Sequence, residues 1–182
     1  MPKLSLIFSF IILFLFNLSV YSQPKTAREF FNILPQSYFV LESCEPKTDK
    51  NCVKARKEYL ERFLEVDDTA NGYLEARGDG AQESFKMALF KKPNNSYLIG
   101  LNVFGEWGEK YFFLEYRSGK WFNVSRKVIP NYQKSNIYVI PRKGTTVNVF
   151  ERLNYDKENQ IGETGKHLYD LIWKNGKFSK SK

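Results

Sequence analysis

The stretch SFKMALFKKPNNSYLIGLNVFGEWGEKYFFLEYRSGKWFNVS, at residues 84–125, decides the fold of this chain. It contains three apolar, aromatic-rich runs, at 85–90, 97–104 and 111–116, separated by Pro-Asn-Asn-Ser and by Gly-Glu-Trp-Gly. A fourth run follows a Ser-Gly pair. Short runs of β-branched and aromatic residues between turn-forming residues are typical of consecutive antiparallel strands. The stretch therefore predicts a β-meander.

Two helices are predicted on the N-terminal side of this meander. In residues 23–34, four apolar side chains have the i, i+3, i+4, i+7 spacing of one buried face: Ala27, Phe30, Phe31 and Leu34. Residues 53–66 carry a longer apolar stripe, and Asp49 or Asn51 can cap that helix. We expect an α+β fold with two N-terminal helices packed on an antiparallel, aromatic-rich sheet. This sheet of about six to eight strands is a β-meander or a half-barrel.

Strand signals also occur around the meander, at 73–76, 137–140 and 145–153. Residues 167–178 predict a closing hairpin at an Asn-Gly turn. Residues 114–121 have the same pattern as this hairpin: an apolar strand, a basic residue, a turn, a lysine and an aromatic residue. The repeat indicates two similar hairpins in one sheet.

Residues 1–22 have the layout of a secretory signal peptide. Lys3 supplies a positive charge, residues 4–20 are almost wholly apolar, and small or β-branched residues precede a cut after Ser22. A retained membrane anchor is the alternative, because the apolar run is about as long as the shortest bilayer-spanning helix. We expect a secreted or periplasmic protein that contacts the membrane only through this segment. Residues 23–178 would form one domain, followed by a disordered tail at 179–182.

Cys44 and Cys52 are the only two cysteines of the chain. In an exported protein, such a pair separated by a short loop predicts a disulfide. Closing this loop should stabilise the fold by about 2–3 kcal/mol. A two-thiol metal or redox site is the alternative, but the spacing is not C-x-x-C and no histidine is adjacent.

Residues 67–72, Asp-Asp-Thr-Ala-Asn-Gly, follow the second predicted helix and partly match a calcium loop. The candidate ligands are Asp67, Thr69 and Asn71. The match fails at the twelfth position, where Gly78 replaces the bidentate glutamate. An Asn-Gly turn that leads into the strand at 73–76 is the favoured interpretation. We therefore expect no metal and no cofactor.

The only histidine, His167, limits acid–base chemistry. Asp170 could orient it as a catalytic base. In a regularly alternating strand, however, positions 167 and 170 point to opposite faces, so the pair is not expected to form. A serine nucleophile is also disfavoured, because the chain has no G-x-S-x-G motif.

Glycoside hydrolysis needs only two carboxylates whose pKa values differ. Glu106 and Glu115 are the candidates, because they lie among aromatic residues that can stack on a sugar ring. Alternation along the predicted strand places Glu115 on the face of Tyr111 and Phe113. An ion pair of Glu115 with Arg117 or with a cross-strand lysine explains its position equally well.

Basic residues exceed acidic ones in this chain, 28 against 20, which gives a net charge of +8. This charge suits an acidic protein partner or an anionic polysaccharide, and it would bind nucleic acid only nonspecifically. The candidate contact residues combine charge with aromatic side chains: Trp107, Lys120, Trp121, Phe122, Arg126 and Lys127. The alternative is a solvated face, since lysines at turns and sheet edges also prevent aggregation.

Four segments give the chain its resemblance to known proteins. They are Phe-Phe-Asn-Ile-Leu-Pro at 30–35, Asn-Gly-Tyr-Leu at 71–74, Gly-Lys-Trp at 119–121 and Val-Ile-Pro-Arg-Lys-Gly-Thr-Thr at 139–146. The layout resembles small exported proteins of Bacteroidetes-type bacteria that have no assigned activity. This resemblance implies a secreted or envelope location and no particular chemistry.

These features together favour binding over catalysis. We expect an exported interaction protein, of the kind represented by inhibitors and immunity-type proteins. The alternative is a carbohydrate-binding module or a small glycosidase that uses Glu115 or Glu106.

Overall fold

The computed structural model describes residues 24–44, 49–106, 108–154, 156 and 162–181, with the side chains of 49–51 excepted. The predicted signal segment at 1–22 and the candidate contact residue Trp107 lie outside the described residues. Among the residues that are described, no helix has the length and apolar character needed to cross a membrane.

The first sheet is a meander in which strands adjacent in sequence pair antiparallel, and the described residues supply six strands to it. The strands are β1 (Leu64–Asp68), β2 (Tyr73–Ala76), β3 (Ser84–Lys91), β4 (Tyr97–Gly105), β5 (Gly108–Arg117) and β6 (Lys120–Asn123). Ser118 and Gly119 both have positive φ at the turn between β5 and β6, as tight hairpin turns require. The antiparallel meander expected over residues 84–125 is confirmed.

A second antiparallel sheet contains, within the described part of the chain, four strands in the order β10-β9-β8-β7. The strands are β7 (Ile137–Val139), β8 (Thr146–Leu153), β9 (Glu163–Lys174) and β10 (Lys177–Ser181). The expectation of one sheet or half-barrel is therefore wrong, and the two similar hairpins belong to different sheets. Residues 179–181 pair with β9, so the disorder predicted for them is also wrong.

Three helices accompany the sheets in the described residues: α1 (Ala27–Asn32), α2 (Asp49–Phe63) and α3 (Ser125–Val128). Thr26 and Glu29 form a capping box at the start of α1. The predicted disulfide is confirmed, because Cys44 is bonded to Cys52 of α2.

Helix α2 ends earlier than the apolar stripe at 53–66 predicts. Leu64 and Val66 belong to β1, where they alternate with the exposed Glu65 and pair with β2. From Leu64 onward, the apolar residues therefore alternate as in a strand and no longer follow the spacing of a helix. The aspartates that follow lie in a strand and not at the end of a helix.

The first sheet is the middle layer of the molecule, because both of its faces are buried. Leu114 on β5 packs in a core with α1 and α2, whereas Phe113 packs in a second core with the other sheet. Phe112 and Tyr116 accompany Leu114, and Tyr111 accompanies Phe113. The alternation expected along β5 is confirmed.

Candidate functional site

Four of the five candidate contact residues at 120–127 are divided between two clefts. Lys120 and Trp121 line a cleft beside the end of α1. Arg126 and Lys127 line a second cleft, between β5 and α3. Phe122 lines neither of them. Phe122 is 41% exposed, and the guanidinium of Arg117 lies over its ring, 4.7 Å from the ring centroid.

The second cleft, here named the basic cleft, has a volume of about 520 Å³. Asn123 and Ser125 position α3 along it. The amide oxygen of Asn123 accepts hydrogen bonds from the backbone N–H of Ser125 at 3.1 Å and from its hydroxyl at 2.8 Å. The Ser125 hydroxyl oxygen accepts a hydrogen bond from the backbone N–H of Phe113 at 2.9 Å. These contacts attach the start of α3 to β5 and leave Arg126 and Lys127 exposed beside the cleft.

Among the described residues, four basic ones line the basic cleft: Lys110, Arg126, Lys127 and Lys134. Lys110 pairs with Glu83 at 3.4 Å. The other three have no carboxylate within 4.0 Å in the described part of the chain. The cleft therefore carries positive charge that is not compensated from within the described residues.

Glu109 is the acidic residue found among the described residues that line this cleft. Its carboxylate accepts hydrogen bonds from the Tyr111 hydroxyl at 2.5 Å and from Arg152 at 3.2 Å. The side chain of Arg152 is only 1% exposed, and its guanidinium lies 5.2 Å from the centroid of the Tyr111 ring. Burial, and then the hydrogen bond to Glu109, raise the pKa of Tyr111 well above its ordinary value. The carboxylate of Glu109 is thus paired with the buried guanidinium of Arg152.

Sequence reasoning did not connect Glu109, Lys110 and Tyr132 with this site. Tyr132 belongs to the irregular segment before β7, and its ring stacks on Tyr138 with centroids 5.5 Å apart. The second sheet brings this segment to β5. The available signal was Lys134 close to the aromatic Tyr132, but strand pairing decides where these two residues lie.

Glu106 and Glu115 lie near opposite ends of β5. Glu106 is exposed in the turn before this strand, and about seven residues of extended chain, roughly 23 Å, separate Gly108 from Glu115. A glycosidase pair needs carboxylates about 5–10 Å apart. The Glu115 carboxylate is buried between the ammonium of Lys92 and the guanidinium of Arg117, which lies at 3.1 Å. This geometry matches the ion-pair alternative for Glu115.

The candidate calcium ligands are engaged by other groups. Asp67 pairs with Arg28 at 2.7 Å and accepts a hydrogen bond from the Thr69 hydroxyl at 3.1 Å. The amide of Asn71 donates to Asp68 at 2.9 Å. The hydrogen bond from Asn71, and to a smaller extent that from Arg142, lowers the pKa of the Asp68 carboxyl. The described residues contain no cluster of three or more His, Cys, Asp or Glu that could hold a metal ion.

The expectation that His167 and Asp170 point to opposite faces is wrong. His167 Nε2 lies 2.7 Å from Asp170 Oδ1. Strand β9 shifts register between its pairs with Val149 and Phe150, so that Leu168 is an extra residue. A bulge of this kind changes the alternation by one position. It therefore brings positions 167 and 170 to the same face.

Comparisons with models of protein families, with curated proteins and with solved structures find no match to this chain.

Proposed function

We propose that the protein is an exported binding protein, and not an enzyme, that holds an acidic surface of a partner protein in the basic cleft. One observation carries this proposal: Arg126, Lys127 and Lys134 line one concave surface without a carboxylate partner in the described residues. The acid beside them, Glu109, is already paired with Arg152. An acidic group on a partner would supply the missing negative charge.

Electrostatic complementarity explains what such a cleft does. Charges that oppose those of a partner raise the association rate and exclude partners of the same sign. The aromatic side chains of Tyr132 and Phe112 add apolar contact area within the cleft. An inhibitor or immunity-type protein needs this combination, because it must bind one acidic surface tightly and perform no chemistry.

Two features support export. Residues 1–22 have the layout of a signal peptide. The disulfide between Cys44 and Cys52 is typical of proteins that fold in oxidising compartments.

The test compares two triple variants that remove the same charge. The first is Arg126→Gln, Lys127→Gln and Lys134→Gln in the basic cleft. The matched control is Lys57→Gln, Arg62→Gln and Lys91→Gln, at exposed positions outside this cleft. Binding of poly-glutamate and of dextran sulfate is measured at about 50 mM and about 200 mM salt.

We expect the cleft variant to lose about tenfold in affinity for poly-glutamate, while the control changes by about twofold or less. Equal losses in the two variants would overturn the proposal, because binding would then follow overall charge. Tighter binding of dextran sulfate than of poly-glutamate by the wild-type protein would overturn the protein partner in favour of an anionic polysaccharide.

A further inference from the structure

The other cleft, here named the apolar cleft, lies between the end of α1, the following segment, the start of α2 and the hairpin of β5 and β6. Its volume is about 840 Å³, within the range of about 300–1,000 Å³ that is typical of small-molecule sites. Its apolar wall includes Ile33, Pro35, Val40, Val53, Tyr116 and Trp121. It shares no described lining residue with the basic cleft.

The aromatic wall of the apolar cleft is held in place by tertiary contacts. The indole N–H of Trp121 donates a hydrogen bond to the carbonyl oxygen of Ile33 at 3.1 Å. The same ring packs against Tyr116 and against Phe30, with centroid distances of 5.3 Å and 6.1 Å. This wall is therefore formed before any ligand arrives.

The segment that follows α1, which also lines the apolar cleft, is fixed by hydrogen bonds. The Gln36 amide donates hydrogen bonds to the carbonyl oxygens of Leu41 at 2.8 Å and Cys44 at 3.0 Å, and accepts one from the Leu41 N–H at 2.8 Å. These bonds hold the segment that carries Val40, a residue that is 55% exposed. An aliphatic side chain is thus presented to solvent on an ordered segment.

The described residues that line the apolar cleft carry charge of one sign. Lys120 is the charged residue found among its described lining residues, and it has no carboxylate within 4.0 Å in the described part of the chain. Lysine provides a compact positive charge with three donors at the end of an apolar stem. The described lining of the cleft therefore combines an extended apolar wall with one cation, Lys120.

We propose that the apolar cleft binds a small amphiphilic anion, namely an aliphatic carboxylate. The aliphatic part lies against Val40, Val53 and the rings of Tyr116 and Trp121, and the carboxylate pairs with Lys120. This activity is independent of the proposed function, because the two clefts are lined by different residues.

The experiment titrates the purified protein with decanoate, below its micelle concentration, and with the neutral decanol, using calorimetry. Lys120→Gln removes the cation, and Lys177→Gln is the matched control at an exposed lysine in β10. Val53→Trp fills the cleft from α2. Denaturation midpoints verify that each variant is folded.

We expect decanoate to bind the wild-type protein at one site. Lys120→Gln should lower the affinity for decanoate about tenfold, and Lys177→Gln should change this affinity by about twofold or less. Decanol should bind more weakly than decanoate, and Val53→Trp should abolish binding. The proposal is overturned by an absence of saturable binding to the wild-type protein. It is also overturned by equal affinities of wild type and Lys120→Gln, or by unchanged binding to folded Val53→Trp. Poly-glutamate binding to the basic cleft should be unaffected by decanoate, so the two proposals can fail separately.

Discussion

The side chains of His167 and Asp170 are in contact on β9, with Nε2 of the ring 2.7 Å from Oδ1 of the carboxylate. Asn148 on the neighbouring β8 donates a hydrogen bond to the same oxygen at 2.8 Å. The bond from Asn148, and then that from His167, hold the pKa of the Asp170 carboxyl below its ordinary value.

The first prediction concerns the pKa of Asp170. Asn148→Ala should raise this pKa toward its ordinary value, because the larger of the two stabilising hydrogen bonds to the carboxylate is removed. An NMR titration of the Asp170 carboxyl carbon measures the change, with Thr146→Ala on the same strand as the control. Because the folded-state pKa is lowered, the stability that Asp170 contributes is present above its unfolded-state pKa and is lost as pH falls. An unchanged pKa in Asn148→Ala would contradict the assignment.

The second prediction concerns the buried carboxylate of Glu115. Glu115→Gln should lower the free energy of unfolding by about 1–3 kcal/mol, because Lys92 and Arg117 lose a charged hydrogen-bond partner. The control is Glu58→Gln, which removes an exposed pair with Lys54 at 3.6 Å and should cost about 0.5 kcal/mol or less. Urea denaturation measures both. Equal effects would show that the Glu115 pairs contribute no more than a surface pair.

The third prediction concerns Arg56, which is fully buried in the helical core. Its guanidinium donates one hydrogen bond, to the Phe39 carbonyl oxygen at 3.3 Å, and lies over the rings of Phe31 and Phe39. Nε and Nη1 have no partner among the described residues, and burial lowers the pKa of Arg56 to about 10. Burial therefore disfavours the charged form of Arg56, and replacing a buried charge by an apolar side chain of similar volume is often neutral or stabilising.

Arg56→Met should therefore leave the free energy of unfolding unchanged or raise it by about 1–3 kcal/mol. Lys57→Met, at the exposed neighbouring position, should change it by about 0.5 kcal/mol or less. A loss of more than about 3 kcal/mol in Arg56→Met would show that the guanidinium is needed for folding.

The fourth prediction concerns alkaline pH. Burial raises the pKa of four tyrosines far above their ordinary value: Tyr59, Tyr73, Tyr111 and Tyr138. Their stabilising contribution is complete below about pH 10 and is lost as pH rises above it, because the unfolded chain ionises first. Arg56 acts in the opposite direction, since its lowered pKa relieves a penalty above about pH 10.

Four tyrosines outweigh one arginine, so the urea midpoint should fall between about pH 9 and pH 11. Phenolate absorbance of these four residues should increase only as the protein unfolds. A midpoint that rises over this range would contradict the prediction.

The fifth prediction separates two adjacent aromatic residues of β6. Trp121→Ala should lower the free energy of unfolding by about 3–5 kcal/mol, because it removes the packing on Phe30 and Tyr116. Trp121→Phe should cost about 1–2 kcal/mol, chiefly for the hydrogen bond to Ile33. Phe122→Ala should cost about 1 kcal/mol or less, since its ring contacts Arg117 at the surface. Similar losses for Trp121→Ala and Phe122→Ala would refute this division.

The meander could be predicted from the sequence because its information is local. Apolar runs of strand length, and turn residues that tolerate positive φ such as Ser118 and Gly119, occur in the order in which the strands pair. The separation into two sheets could not be predicted in this way. It depends on the fact that β6 and β7 do not pair with each other although they follow one another in the chain. No short-range pattern in the sequence indicates whether two such strands pair.

The candidate site was predicted only in part, for two physical reasons. Arg126 and Lys127 could be named from composition, but Tyr132 reaches the same cleft only because the second sheet packs on the first. The contact of His167 with Asp170 depends on the extra residue Leu168. A single bulge reverses the facing of every later residue in a strand, and residue patterns alone do not locate it.

The middle position of the first sheet has a consequence for the order in which the chain is made. Synthesis proceeds from the N-terminus, so α1, α2 and the meander emerge before residues 137–178 are available to cover Phe90 and Phe113. Until the last hairpin follows, one aromatic face of the nascent protein has nothing to pack against. The strands of the second sheet therefore complete the burial of this aromatic face. Until they do so, the face is exposed to chaperones and to aggregation.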